Sequence, residues 1–149
     1  MSEREIVVIT GGARSGKSRI ALEVAGREIP KVFIATCEPF DEEIRSRIRK
    51  HKEERCASWI TMEEPVLIAR ILQQQTGGVV LIDCMTLWLS NLLVREKTDD
   101  QISALISELC EATQRRKGLT ILVTNETGMG IVPDNPLARR FRDLAGIMN

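Results

Sequence analysis

The feature that most constrains the fold is a glycine-rich segment close to the N-terminus. It reads Gly11-Gly12-Ala13-Arg14-Ser15-Gly16-Lys17-Ser18 and directly follows the apolar run Ile6-Val7-Val8-Ile9. This is the phosphate-binding pattern G-x-x-x-x-G-K-[ST], in which a strand ends in glycines and a helix then begins. Backbone N–H groups of such a turn point at one place, where the positive end of the helix dipole also lies. The segment therefore predicts a polyphosphate site, with Lys17 on the β- and γ-phosphates and Ser18 as a ligand to Mg²⁺.

The alternative for this segment is an ordinary glycine-rich turn that binds nothing. The residues after it disfavour that alternative, because Ile20, Leu22 and Val24 continue as an amphipathic helix. Strand, glycines, Lys-Ser pair and helix thus all agree with a nucleotide-binding loop.

Composition limits the class of protein. The 149 residues carry 21 basic and 21 acidic side chains, which predicts one domain, 1–149, without broad attraction to nucleic acid or to an anionic membrane. The four cysteines have no C-x-x-C spacing, so they predict free thiols in a reducing cytoplasm. The charged start, Met1 to Glu5, resembles no signal peptide, and no apolar run has the length of a membrane span.

Short apolar runs alternate with helical patterns, which predicts an α/β fold of parallel strands joined by crossover helices. Strands are expected at 6–10, 31–36, 79–84 and 119–124. Helices are expected at 16–28, 41–55, 64–75, 86–95, 99–117 and 136–149. In such a sheet, ligands bind beyond the carboxyl ends of the strands. The residues expected to share that edge are Gly11-Gly12, Thr36-Cys37-Glu38, Asp83-Cys84 and Asn125-Glu126.

Asp83 ends the apolar run Val79-Val80-Leu81-Ile82. A carboxylate in this position, downstream of a phosphate loop, is typical of a residue that holds Mg²⁺ or its water. Asp83 is also suited to cap the N-terminus of the next helix, although the metal role fits better, and the two roles are compatible. Ser18 and Asp83 are the predicted metal-site residues.

His51 is the only histidine and lies in a strongly charged segment. On a helix it shares a stripe with Ile44, Ile48 and Arg55, and Arg47 and Arg55 lie four residues to either side. Such cations disfavour an imidazolium and bind phosphate oxygens, which suits covalent catalysis on phosphorus. From spacing alone, a histidine on a solvated charged surface fits the pattern better.

Two further segments carry open alternatives. The loop after the last predicted strand contains Gly128-Met129-Gly130-Ile131-Val132-Pro133. Its apolar composition predicts either closure over a ligand or a neighbouring subunit, or a tight structural connection. Arg139, Arg140 and Arg142 could clamp phosphate, although a solvated helix face explains them better.

Taken together, these segments resemble the bifunctional adenosylcobinamide kinase / adenosylcobinamide-phosphate guanylyltransferase family of corrinoid (vitamin B12) assembly. The matching stretches cover essentially the whole chain: 10–18, 34–36, Arg47-Ile48 with His51 and Arg55, 59–65, 81–93, 123–133, and 137–143 with Gly146 and Asn149. The combination of G-G-A-R-S-G-K-S with T-N-E-x-G-x-G-I-V-P is highly specific. The resemblance implies a P-loop NTPase with a RecA-like, mostly parallel sheet flanked by helices.

The resemblance also implies roles for single residues. It implies that His51 attacks the α-phosphorus of GTP and carries GMP as a phosphoramidate, while Lys17 acts in phosphoryl transfer. It implies nucleotide contacts at Gly11, Gly12, Ala13, Arg14, Ser15, Gly16, Lys17, Ser18, Thr36, Cys37, Glu38, Lys52, Glu53, Glu54, Arg55, Glu63 and Asp83. ATP or GTP and adenosylcobinamide or its phosphate are the implied substrates, with Mg²⁺ as cofactor and a homotrimer as the assembly.

The family pattern continues past Asn149 with the rest of a helix and a final strand, so the resemblance predicts a sheet that lacks this strand. Two other functions are compatible with the residues. One is a small-molecule P-loop kinase of different specificity, in which His51 is structural. The other is a nucleotide-dependent regulatory module that signals through its apolar loop.

Overall fold

The structure, a computed structural model, describes residues 3–149; Met1 and Ser2 of the charged start lie outside the described residues. In chain order the elements are β1 (Arg4–Gly11), α1 (Lys17–Val24), β2 (Lys31–Ala35), α2 (Glu42–Glu53), β3 (Trp59–Glu63), α3 (Ile68–Gln74), β4 (Val79–Asp83), α4 (Met85–Val94), α5 (Asp99–Arg115), β5 (Gly118–Asn125) and α6 (Pro136–Met148).

The five strands form one parallel sheet in the order β1-β5-β4-β2-β3. The register aligns Gly11 with Asn125, and Ala35 with Asp83. The carboxyl ends of the strands therefore meet at one edge, which confirms the predicted α/β fold and the predicted common edge. We call this the carboxyl edge, and the opposite one the amino edge.

Successive side chains of a strand point to opposite faces of the sheet, so a hydrophobic core forms on each face. On one face, Phe33, Leu81 and Ile121 pack with Ala21 of α1. On the other face, a larger core contains Ile34, Val80 and Ile82, together with side chains from α3, α4, α5 and α6. The central strands β2 and β4 are buried on both faces, as their continuous apolar sequences predict.

The segment 59–75 differs from the prediction. Trp59–Glu63 forms a fifth strand that pairs with β2, and the helix predicted at 64–75 covers only Ile68–Gln74. Pro65 therefore lies before this helix and not in its first turn. Glu64 explains the later start, because its carboxylate accepts hydrogen bonds from the N–H groups of Val66 and Leu67.

At the amino edge, two glycines allow close approach of the backbone. Gly78 and Gly118 both have positive φ, at 63° and 89°. A Cβ atom at Gly118 would lie far inside van der Waals contact with the carbonyl oxygen of Gly78, and one at Gly78 would collide with the Pro30 carbonyl. Only glycine fits where these strands begin. Within residues 3–149, no helix combines the length and apolar character needed to cross a membrane.

Candidate active site

The glycine-rich segment forms a compact loop between β1 and α1. Gly16, with φ 88°, ends the loop and caps α1, and Arg14 also adopts positive φ. The Ser15 hydroxyl donates a hydrogen bond to the Gly12 carbonyl at 2.8 Å. The buried Lys17 ammonium donates to the same carbonyl and lies 3.4 Å from Ser15 Oγ. The loop therefore positions Lys17 inside its own curve, where a phosphate group would be held.

Ser18 and Asp83 meet across the sheet, as the predicted metal site requires. The Ser18 hydroxyl donates a hydrogen bond of 2.7 Å to Asp83 Oδ2. Two adjacent ligands of an octahedral Mg²⁺ at its usual bond length lie about 3 Å apart, so this pair fits the ion with little movement. Both are the hard oxygen donors that Mg²⁺ prefers.

The alternative role of Asp83 as a helix cap is not observed. Helix α4 begins at Met85 with Cys84 as its N-cap, and no side chain caps it. The Asp83 carboxylate is directed toward Ser18 instead. Asp83 therefore has no capping role, and its metal-binding role stays a prediction.

The predicted site residues that follow β2, Thr36, Cys37 and Glu38, differ from one another in their surroundings. Thr36 is fully buried, and its hydroxyl both donates to the Cys84 carbonyl and accepts from the Cys84 N–H. Burial raises the pKa of the Cys37 thiol, and the neighbouring Cys84, Asp83 and Glu38 act in the same direction. Glu38 pairs with Arg95. The Thr36 hydroxyl thus fixes the shape of the edge, whereas Cys37 and Glu38 lie close to Asp83.

A second group of predicted residues lies where α2 ends beside β3. We call it the α2 group, and it consists of residues 52–55 and Glu63. Lys52 and Glu63 form an ion pair of 2.8 Å. Arg55 stacks over the Phe33 ring, 3.7 Å from its centroid, and donates to Thr61 Oγ1 at 3.3 Å. The Glu53 side chain is exposed to solvent. The segment from Lys52 to Arg55 is therefore tied to β2 and β3, and not to the phosphate loop.

Arg55 also connects this group to the metal-site residues. Burial lowers the pKa of its guanidinium, and the negative charge of Asp83 acts in the opposite direction. Its Nε is buried, and none of residues 3–149 accepts a hydrogen bond from it. A partly buried guanidinium with a free donor suits an anionic oxygen as ligand.

The surroundings of His51 differ from those predicted. Arg47 pairs with Glu43 at 3.5 Å, and Arg55 is directed toward Phe33, so neither cation contacts the imidazole. The charged neighbour is Glu54, whose Oε2 lies 3.6 Å from His51 Nδ1. The His51 side chain is 59% exposed, and Asp41 caps the N-terminus of its helix. An accessible imidazole with a carboxylate beside Nδ1 is suited to react through Nε2.

The phosphate loop and the α2 group occupy different ends of one edge. The loop follows β1, whereas Glu63 ends β3, and three strands lie between them. At the usual strand spacing this places the two ends roughly 19 Å apart. Asp83, on the central strand β4, lies between them and is linked by contact or charge to both Ser18 and Arg55.

Sequence reasoning missed the links made by residues 125 and 126. The Glu126 N–H donates to the Gly11 carbonyl at 3.0 Å, and the Asn125 side chain donates to Thr86 Oγ1 at 2.8 Å. The start of the apolar loop is therefore attached to the first residue of the phosphate loop. The signal in the sequence was that residues 125 and 126 directly follow β5. In the sheet, β5 lies between β1 and β4, so these residues lie between the phosphate loop and Asp83.

The arginines of α6 are engaged within the protein. Arg139 donates to the carbonyls of Pro133 and Asp134, Arg140 pairs with Asp99, and Arg142 pairs with Asp143. This arrangement favours a structural role over a phosphate clamp. Arg139 in particular holds the far end of the apolar loop.

The fold and the site define a P-loop nucleotide-binding protein with an α/β fold. Solved structures support this class at the level of fold. An ATPase from the type III secretion system of pathogenic bacteria superposes with a TM-score of 0.59 over 95% of this chain, at 11% identity. The ATP synthase subunit NeqB from Nanoarcheaum equitans gives 0.56 over 98%, at 14% identity. The chain spans 49% and 44% of those proteins.

Sequence comparison identifies the particular family. The family model described as cobinamide kinase / cobinamide phosphate guanyltransferase matches residues 7–149. The bifunctional adenosylcobalamin biosynthesis protein CobP of Pseudomonas aeruginosa is 43% identical over 93% of this chain and 82% of its own length. The CobU proteins of Escherichia coli and Salmonella typhimurium are 39% and 38% identical, over 97% of this chain and 87% of theirs. The chain belongs to this family and is an enzyme, a transferase.

Proposed function

We propose that this enzyme phosphorylates adenosylcobinamide with a nucleoside triphosphate and then transfers GMP from GTP to the product, giving adenosylcobinamide-GDP. The observation that carries the proposal is the Ser18–Asp83 contact beside the buried Lys17, at an edge that the helix of His51 reaches through the Lys52–Glu63 ion pair. Membership of the family supports both activities. ATP and GTP are the nucleotide substrates of this proposal.

The kinase step needs mainly positioning and charge stabilisation. The N–H groups of the glycine loop hold the phosphates, and Lys17 exchanges its bonds to Gly12 and Ser15 for phosphate oxygens. Ser18 and Asp83 would hold Mg²⁺, which when bound neutralises charge on the β- and γ-phosphates. The acceptor hydroxyl then attacks the γ-phosphorus, the bond from that phosphorus to the β-phosphate oxygen breaks, the nucleoside diphosphate leaves, and the hydroxyl proton passes to solvent.

The guanylyl step uses His51 as a nucleophile. Its Nε2 attacks the α-phosphorus of GTP, the bond to pyrophosphate breaks, and GMP remains attached to nitrogen. Glu54 Oε2 lies 3.6 Å from Nδ1, so a small rotation would let the carboxylate accept a hydrogen bond from an Nδ1–H group and leave the lone pair on Nε2. A phosphate oxygen of the corrinoid product then attacks the same phosphorus and displaces the histidine. Lys52 and Arg55 are the cations available for GTP phosphates on this side.

The separation between the phosphate loop and the α2 group bears on how GTP reaches His51. Helix α2 has no buried residue, and its polar links to the sheet are made by Lys52 at its last turn and by Arg55 just beyond it. A shift of α2 along the edge therefore breaks few contacts. GTP can bind beside β3, or α2 can carry His51 toward a nucleotide in the phosphate loop.

The location of the enzyme and its assembly are part of the same proposal. We place it in the cytoplasm, where the nucleotide substrates are made, and as a homotrimer. Strand β1, at the edge of the sheet, offers a surface for self-association.

Labelled GTP tests the covalent step. Incubation with GTP labelled at the α-phosphate should leave acid-labile, base-stable label on the protein, and His51→Ala should abolish it. Persistence of label in this variant would remove His51 from the mechanism. A P-loop kinase of other specificity predicts phosphoryl transfer without label, and a regulatory module predicts neither label nor turnover with adenosylcobinamide.

The phosphate-loop lysine has its own test. Lys17→Ala should lower kcat/KM for phosphorylation of adenosylcobinamide by about two orders of magnitude, because a charge contact to the transferring phosphate is lost. Kinase kinetics with ATP measure this directly. Unchanged kinetics would contradict its role at the phosphates.

A further inference from the structure

The loop between β5 and α6 exposes apolar side chains to an unusual degree. We call residues 127–133 the apolar arm: Thr127, Gly128, Met129, Gly130, Ile131, Val132 and Pro133. Met129 is 89% exposed and Ile131 is 97% exposed. The arm contains no charged residue. Water is a poor environment for such a contiguous surface, so it is suited to an apolar ligand or partner.

The arm is fixed at both ends and open between them. At its start, Glu126 accepts a hydrogen bond of 2.6 Å from the Gly128 N–H and donates its own N–H to Gly11. At its end, Arg139 donates to the Pro133 carbonyl at 2.8 Å. The apolar tip between these anchors has no recorded hydrogen bond. A fixed base with an exposed tip is the arrangement of a binding surface, not of a connection packed on the core.

The arm leads outward from the phosphate loop. Helix α6, which follows it, has 13 residues and is roughly 20 Å long. The helix returns to the sheet, because Asn149 contacts Thr124 and Asn125 at the end of β5. The arm therefore begins beside Gly11 and ends about a helix length away from the carboxyl edge. A ligand lying along it would have one end at the phosphate loop and its body farther out.

We propose that the apolar arm binds the corrin macrocycle of the phosphoryl acceptor while the hydroxyl-bearing tail reaches the phosphate loop. This rests on the proposed function, which requires an acceptor that presents one hydroxyl to the γ-phosphate and has a large ring system behind it. One face of the corrin ring in this acceptor carries the adenosyl ligand; the ring carbons and their methyl groups are apolar, and the rim carries uncharged amides. The exposed Met129, Ile131 and Val132 side chains match the apolar ring carbons and methyl groups, and the arm has no charged residue.

Steady-state kinetics with two variants test the assignment. The double variant Met129→Ser/Ile131→Ser removes the apolar tip, and Ile29→Ser is the matched control, because Ile29 is 74% exposed just before β2, at the amino edge. In the kinase reaction with ATP, the double variant should raise KM for adenosylcobinamide about tenfold and leave kcat and KM for ATP unchanged. Equilibrium dialysis of the coloured corrinoid, without nucleotide, should give the same loss of affinity. The control should match the wild type in both.

Three results would overturn the proposal. One is a double variant with unchanged KM and affinity for adenosylcobinamide. The second is loss of self-association by the double variant in analytical ultracentrifugation, because a second copy of the chain would then cover the arm. The third is wild-type enzyme that neither binds nor phosphorylates adenosylcobinamide. This last result refutes the proposed function itself, whereas normal wild-type turnover with unaffected variants refutes only the role of the arm.

Discussion

At the scale of single residues, the pair formed by His51 and Glu54 gives the most direct explanation of how an exposed histidine could become a nucleophile. The carboxylate lies 3.6 Å from Nδ1, within reach of a hydrogen bond after a small rotation. Such a bond would orient the ring and leave Nε2 free to attack. Glu54 is thus a positioning residue that acts through His51.

We expect Glu54→Gln to slow labelling of the protein by α-labelled GTP about tenfold, because the amide stabilises the positive charge on the reacting imidazole less than a carboxylate does. Kinase turnover should not change. The control is Glu43→Gln, which also removes an exposed ion pair on α2 but lies two turns from His51. Equal labelling rates in the two variants would show that Glu54 does not position the histidine.

The cysteines should differ in reactivity toward iodoacetamide. Cys56 is exposed, and its hydrogen bond with Ser58, 2.8 Å between Sγ and Oγ, lowers the pKa of its thiol. Burial raises the pKa of the Cys84 thiol. Because the thiolate reacts, Cys56 should be alkylated first and at a lower pH than an ordinary cysteine, and Cys84 last.

Mass spectrometry of peptides over a pH series measures this order. Ser58→Ala removes the hydrogen bond, so the pH at which Cys56 reacts half-maximally should rise. A pH profile that does not move would mean that Ser58 has no influence on the thiol.

At the scale of elements, the amino edge depends on glycine. In Gly118→Ala, the methyl group would meet the Gly78 backbone in a conformation with φ 89°. We expect a loss of about 2–4 kcal/mol in the free energy of unfolding, measured by urea denaturation. Gly146→Ala is the matched control, because it lies in α6 with open space around its Cβ position, and it should gain about 0.5–1 kcal/mol. Equal stabilities for the two variants would contradict this account of the edge.

Strand β3 illustrates which elements a single sequence predicts. The runs of β2 and β4 are continuously apolar because both faces are buried, and they were predicted correctly. Trp59–Glu63 is an edge strand with partly exposed residues, so its pattern is weaker. The residues Trp59, Ile60 and Thr61 favour a strand. The strand was nevertheless not predicted, because the adjacent segment 64–75 was interpreted as a helix.

At the scale of the whole molecule, the carboxyl edge could be predicted because parallel strands place their ends together, whatever the helices do. That rule places Ser18 and Asp83 at the same edge, whereas their contact also depends on the strand order. The position of Arg55 could not be predicted, because it depends on a stack with Phe33 on another element. The separation between His51 and the phosphate loop depends on strand order, which no local pattern encodes.

The position of β5 in the sheet also has a consequence for synthesis of the chain. Among the described residues, β1 pairs only with β5, and three strands and five helices lie between them in sequence. While the ribosome is still making the first four strands, β1 has no neighbour, and the loop that follows it has no fixed support. The nucleotide site should therefore be among the last parts to form, and ATP should favour completion of the sheet over its partly folded precursors.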